Sequence, residues 1–474
     1  MVFSSAIFLF AFFPMYILIV SCVRNLRINN FLLLIMSLIF YAWGEPIYIL
    51  LMLFSMLVNY LIALPAAKYV NNDCIKRRTL LSLAVIFNIT TLALFKYSGF
   101  LVSTINSIFG TGLPVPEIPL PIGISFFTFQ TMSYVIDAYR GTCNVQKNFG
   151  KFALYISFFP QLIAGPIVKY HDIEQQLSDR KINFEGIADG TRRFFVGLVK
   201  KLIISNACAV IVDNIYDNIG SDLNILIAWT AAICYCFQLY FDFSGYSDMA
   251  IGLGKMAGFK FMENFNYPYI SLSIRDFWKR WHISLTTWFR EYVYFPLGGN
   301  RKGEFRTGLN RLTVFFLTGL WHGAQWTFVV WGLFHGVFML LETYAIHPEK
   351  WKHKALSRIY TLAVVTVGFT IFRANNMGQA LEFIGAMFAG FNFTHNGLAM
   401  LCEIFNFYNI LIILIAAIAC TPWLKNKAER ISSKSIAAKK TVTCFKYVAS
   451  LGLAALCILS LASSTYNPFI YFRF

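Results

Sequence analysis

Charge is what this chain has least of. Asp, Glu, Lys and Arg make up 13% of its 474 residues, where a soluble domain carries about 25%. Hydrophobic residues reach 57% and mean hydropathy is +0.59. That is more apolar surface than one globular core can hide, so the apolar solvent is lipid. The weak alternation of barrel strands is missing too. Continuous apolar runs of about 20 residues recur from end to end, and an open sheet cannot satisfy its backbone in hydrocarbon. The expected fold class is all-α, a polytopic transmembrane helical protein. No polar stretch between the runs is long enough for a soluble domain, so a single integral membrane domain over 1–474 is expected.

Acidic residues are scarcer than basic ones, 23 against 40, for a net charge of +17. In a soluble protein this would raise nucleic acid as a partner. Here the basic residues gather in short loops beside apolar runs, as the positive-inside rule requires, and no nucleic acid is expected. Zinc-type pairing of Cys with His is also absent. The ten cysteines fall mostly inside apolar segments (Cys22, Cys208, Cys234, Cys236, Cys420, Cys457) and read as small buried hydrophobes, with no metal site. A phosphate-binding loop, a Gly-x-Ser-x-Gly elbow and a His-Glu-x-x-His helix are all missing, which leaves nucleotide hydrolysis and metal-assisted hydrolysis without support.

What is present is a series of candidate spans at 3–23, 31–43, 46–66, 79–97, 121–139, 152–168, 194–213, 225–243, 312–345 in two pieces, 359–373, 380–391, 406–423 and 445–464. The first lacks a basic start and a clear cleavage site and reads as a retained span. Gly44-Glu45-Pro46 separates the second from the third. Several runs are too short to cross alone, which points to broken or re-entrant helices lining an internal cavity. Residues 169–201 read as an amphipathic surface helix plus loop. Residues 260–311, with Trp278, Trp281 and Trp288 among Lys279, Arg280 and Arg290, read as helix lying in the headgroup layer.

Orientation follows from the stretch Lys425 to Lys446, which holds Lys425, Lys427, Arg430, Lys434, Lys439, Lys440 and Lys446 against the single acid Glu429. It is expected on the cytoplasmic side. One further span then places the tail 466–474 outside.

Of seven histidines, His171, His347, His353 and His395 sit in polar contexts and read as solvated. His322 lies in Leu320-Trp321-His322-Gly323-Ala324, deep in an apolar segment, where an ionisable group is by default functional. Burial disfavours the imidazolium and leaves a neutral base, and Gly319 and Gly323 are expected to let a substrate approach it. His282, in Arg280-Trp281-His282-Ile283-Ser284, has an interfacial setting. His335, thirteen residues after His322, would stand about 20 Å from it on one unbroken helix. It therefore reads as structural or lining. Asp242 and Asp248, around Gly245, suggest a helix break within the membrane, the acids satisfying freed backbone groups.

These motifs resemble the membrane-bound O-acyltransferase family, and within it the alginate and peptidoglycan O-acetyltransferase branch. The stretches are Met1 to Ser5, Leu120-Pro121-Ile122-Gly123-Ile124-Ser125-Phe126, Phe159 to Pro166, Tyr240 to Met249, Met262-Glu263-Asn264-Phe265, Asp276 to Ser284, Leu297-Gly298-Gly299-Asn300-Arg301 and Gly319 to Ala324. The resemblance implies a ring of tilted helices around a thin centre with funnels from both faces. It puts the catalytic histidine on His322 and the second histidine on His282.

It further implies an acyl transfer with acetyl-CoA as the donor substrate and no bound cofactor. Lys279, Arg280, Arg290 and Arg301 are candidates to attract the donor's phosphates, and Trp321 to line the substrate. The tail Phe469-Ile470-Tyr471-Phe472-Arg473-Phe474 resembles the Tyr-containing tail of these systems and makes Tyr471 a candidate transient acyl acceptor. The partners implied are an extracytoplasmic serine hydrolase-like acyltransferase, a polysaccharide acceptor (alginate, peptidoglycan or similar) and membrane lipids. The implied location is the inner membrane of a bacterium, multi-pass, with the C-terminus outside. Two other readings fit the residues alone: a transporter or flippase, and acylation of a lipid or protein within the membrane.

Overall fold

A computed structural model of the protein describes residues 1–69, 74–218 and 220–463; the tail 466–474 lies outside them. Among the described residues every regular element is helical. Eight helices are long and apolar enough to cross a membrane, and the pair His395–Ile404 and Phe407–Ala419, bent by 67°, makes a ninth if taken as one broken span. The helices group into two compact units, Met1–Phe194 with Ser247–Met262, and Phe195–Tyr246 with Glu263–Phe474.

The first unit packs Leu26–Gly44, Tyr48–Ala63 and Ile75–Phe109 with the shorter helices Ile124–Arg140 and Phe149–Ser157. The expected break at Gly44-Glu45-Pro46 is present. Polar groups join these helices where lipid supplies no hydrophobic drive between them. Asn88 Nδ2 donates to Asn59 Oδ1 at 2.6 Å, and Thr131 Oγ1 donates to Asn88 Oδ1 at 3.1 Å. The expected span at 152–168 is two short pieces, Phe149–Ser157 and Phe159–Leu162, with Pro160 inside the second.

His171 is not the solvated residue that its context suggests. Its Nδ1 lies 2.9 Å from Asp137 Oδ2, and Nε2 lies 3.4 Å from Asp172. The bond to Asp137 raises the imidazole pKa above its ordinary value of 6.5, against partial burial. A raised folded pKa stabilises the fold fully below pH about 6.5, and the contribution disappears as pH climbs through the folded value. Thermal melting of the purified protein is therefore expected to lose stability across that interval, and His171→Gln to remove that part of the pH dependence. Equal pH profiles for the two proteins would show that the pair does not couple to folding.

In the second unit, the segment expected to break around Gly245 does not. Ile225–Met256 is one continuous helix. Gly245 serves close packing: a Cβ there would come within 2.7 Å of the Gly197 carbonyl oxygen. The two acids pair with cations rather than with freed backbone. Lys201 Nζ sits 2.9 Å from Asp242 Oδ1, with both side chains almost fully buried; in the first unit, Arg193 Nη2 sits 2.8 Å from Asp248. Lys201 lies in a π-helical turn, Lys200–Ser205, of the long helix Phe184–Asn218. Residues 184–201 thus belong to a membrane-length helix and not to a surface one.

The stretch 312–345 divides as expected, into Gly303–His322 and Trp326–Tyr344. The chain turns back at Gly323, so the two helices form a tight hairpin. A Cβ on Gly319 would sit 2.4 Å from the Phe328 oxygen, and one on Gly332 2.3 Å from the Phe315 oxygen. Lys354–Arg373 packs on the hairpin.

Candidate active site

The site is built on a short connection whose geometry is fixed from several sides. Ser273 caps the helix Ile274–Arg280 by accepting from the Asp276 N–H at 3.0 Å. The buried Glu342 carboxylate accepts from the N–H groups of Ile274 and Arg275 at 2.6 and 3.0 Å. An acidic group thus satisfies the orphan donors of a helix N-terminus within the protein interior. The helix ends at Trp281, and His282 turns the chain in the left-handed region, φ 43°, before Ile283–Phe289 begins. For a residue with a side chain this conformation costs about 1–3 kcal/mol and persists only where the surroundings over-determine it.

Those surroundings are aromatic. His282 is fully buried and His322 is 7% exposed. Their ring centroids are 6.5 Å apart. Trp321 touches both, at 5.8 Å from His282 and 5.0 Å from His322. Phe243 meets His282 edge-on at 4.6 Å. Trp331 and Phe372 meet His322 at 5.0 and 5.3 Å. A cavity of about 10 Å³, roughly one water, touches His322 between Leu239, Phe243, Trp281, Trp331, Phe369 and Phe372.

His282 is therefore an interior residue facing His322, and not an interfacial one. Trp278, Trp281 and Trp288 are buried in the protein, so the tryptophans of 260–311 form core and not a headgroup belt. Gly319 and Gly323 close the hairpin and do not open a path: a Cβ on Gly323 would lie 2.2 Å from the Phe328 ring. The chain reversal also removes the unbroken helix that would have held His335 far from His322. Trp331 stands between the two, 5.0 Å from His322 and 5.3 Å from His335. His335 remains a packing residue, fully buried and edge-on to Trp278 at 5.3 Å.

The basic candidates divide. Lys279, Arg290 and Arg301 are exposed, and Arg290 has only a 4.0 Å approach to Glu291. Arg280 is half-buried and bonded through Nε to Asp276 at 2.9 Å. Tyr471 lies outside the described residues.

Sequence reasoning gave no role to Asn264, Phe243, Trp331, Phe372 or Glu342. Asn264 sits in one of the recognised stretches, but nothing local marks it as the partner of a residue eighteen positions on. The ring around His322 is drawn from helices far apart in sequence.

The fold and site are those of a many-span helical membrane protein with a pair of imidazoles buried in its interior. Residues 145–348, which contain both histidines, match the family model described as MBOAT, membrane-bound O-acyltransferase family. The chain belongs to the membrane-bound O-acyltransferase family, and it is an O-acyltransferase.

It is similar to the probable alginate O-acetylase AlgI of Azotobacter vinelandii, at 39% identity covering 100% of both chains. It is also similar to the peptidoglycan O-acetyltransferase of Helicobacter pylori, at 36% identity over 82% of this chain and 80% of the relative. The teichoic acid D-alanyltransferase of Bacillus subtilis is 31% identical over 53% of this chain and 68% of its own length.

Proposed function

We propose that this O-acyltransferase takes an acetyl group from cytoplasmic acetyl-CoA and passes it toward an extracytoplasmic polysaccharide, with His322 as general base. The observation that carries the proposal is the buried His282–His322 pair in its aromatic enclosure. The acceptor class is supported by the relatives, which are named for alginate and peptidoglycan.

Direction is supported by charge. The helix Gly303–His322 begins beside Arg301, Lys302 and Arg306, and Lys354–Arg373 begins beside Lys350 and Lys352. Their far ends meet at the His322–Phe372 contact. Twenty helical residues span about 30 Å. If the basic loops face the cytoplasm, the histidines stand toward the outer face of an inner membrane, and the C-terminus lies outside. The exposed Arg301, at the start of Gly303–His322, then supplies positive charge for the donor's phosphates, with the exposed Arg290 and Lys279 nearer in sequence to His282 and closer to the reacting end of the donor. Arg280, tied to Asp276, contributes less.

The polymer is outside and the thioester inside, so a carrier is needed. Tyr471 fits it chemically. His322 takes the phenol proton as the oxygen attacks the thioester carbonyl; the carbon–sulfur bond breaks, and CoA leaves as thiolate. A phenol with pKa about 10 is close to a thiol at about 8.5, so the tyrosyl ester keeps most of the transfer potential. The acetyl group then passes to the serine of an extracytoplasmic, hydrolase-like partner and on to a sugar hydroxyl.

The test is mass spectrometry of the C-terminal peptide after incubation of the reconstituted protein with acetyl-CoA. One added acetyl is expected on Tyr471, absent in Tyr471→Phe, which also stops polymer acetylation. Full polymer acetylation by Tyr471→Phe would remove the carrier.

A further inference from the structure

Asn264 meets a cluster of donors with one atom. Its Oδ1 lies 3.2 Å from the Ser284 backbone nitrogen, 2.9 Å from Ser284 Oγ and 3.2 Å from His282 Nδ1. An amide's oxygen and nitrogen are told apart only by their partners. Here the partner decides, because a backbone N–H can only donate, so the Asn264 atom facing it is the oxygen. That oxygen carries no proton. The His282 nitrogen facing it must then carry one, or two lone pairs would oppose each other in a dry interior, where an unmet acceptor costs most. Ser284 Oγ, 3.5 Å from Nδ1, does not reverse this, since its hydroxyl proton is directed to the same oxygen. Nδ1–H fixes the neutral tautomer, and the lone pair falls on Nε2. Nε2 is fully buried with no hydrogen-bond partner among the described residues.

We propose that Asn264, seconded by Ser284, is a positioning residue that locks His282 as the Nδ1–H tautomer and so makes its Nε2 a second proton acceptor beside His322. Ring centroids 6.5 Å apart allow one nitrogen of each ring to come within about 4–6 Å where both are turned inward, a separation that one hydroxyl hydrogen-bonded to both would bridge. The left-handed turn at His282 belongs to the same device. The Ile283 N–H donates to the Asn264 carbonyl at 2.9 Å, so Asn264 holds the strained turn by its backbone and the imidazole by its side chain. The proposal rests on the acyl-transfer reading for its consequence, but not for its chemistry.

The test is the full-length protein in nanodiscs, with ¹⁵N-labelled histidine, the His282 signals being assigned by their loss in His282→Gln. The Nδ1–H tautomer is expected in the wild type. Asn264→Leu is expected to lose the fixed tautomer and to lower kcat by about 10²-fold, with KM for acetyl-CoA little changed. Asn264→Asp keeps an acceptor toward Nδ1. It is expected to retain the tautomer, while the nearby carboxylate favours the imidazolium and moves the acidic limb of the rate profile to higher pH. An Nε2–H tautomer in the wild type, or an Asn264→Asp rate profile superimposable on it, would overturn the proposal. A wild type that shows the Nδ1–H tautomer but transfers no acetyl group would leave Asn264 standing and remove the proposed function.

Discussion

Replacing His322 by alanine is expected to lower acyl transfer by about 10²–10⁴-fold, the usual contribution of a positioned general base. Donor binding is expected to change little. The basic groups proposed for the donor's phosphates are exposed, whereas His322 sits in the aromatic enclosure. His322→Ala removes a ring packed against Trp321, Trp331 and Phe372, so some stability is lost as well. His322→Gln keeps more of the volume and the polarity and serves as the control: activity is lost, while the melting temperature stays nearer the wild type. The measurement is release of CoA and formation of acetylated product by protein of verified monodispersity. Wild-type turnover by His322→Gln would show that another group takes the proton.

The second large effect is on folding. Asp242→Ala removes the carboxylate 2.9 Å from Lys201 Nζ where both side chains are almost fully buried. Taking away one member of a buried pair costs about 3–5 kcal/mol, because the remaining charge loses its compensation. A much lower melting temperature is expected. Lys201→Met combined with Asp242→Leu deletes both charges and is expected to recover most of the loss, since apolar replacement of a whole buried pair is often neutral. A single variant that melts with the wild type would mean that water or lipid headgroups reach Lys201. The pair joins the π-helical turn at Lys200–Ser205 to the helix that carries Phe243, and Phe243 packs on His282. A loss of activity that exceeds the loss of folded protein would therefore show the pair acting on the site.

The helices were legible where the signal was local. Gly44-Glu45-Pro46 breaks its helices where the residues say it does, and 312–345 divides in two as expected, although the reading of Gly323 as room for a substrate did not mark it as the point of division. Gly245 does not, although it looks the same in sequence. Its role is set by the Gly197 carbonyl opposite, a partner that no window around Gly245 contains. The tryptophans of 260–311 misled for a related reason. Tryptophan beside Lys and Arg suits a headgroup belt and a buried re-entrant segment equally well. What decides between them is whether other helices cover the rings, as Phe315 and Trp331 cover Trp278.

Composition alone determined that this chain lives in lipid, since 13% charge and 57% hydrophobic residues leave no soluble solution. One apolar histidine, His322, was conspicuous because ionisable groups at such depth are costly. Tertiary structure alone decided that His282 faces it, that Asn264 holds His282, and that Lys201 answers Asp242. Hydropathy is a property of single segments and is written along the chain. The partner of a buried polar group is chosen across space, by whichever residue the packing brings within hydrogen-bond reach.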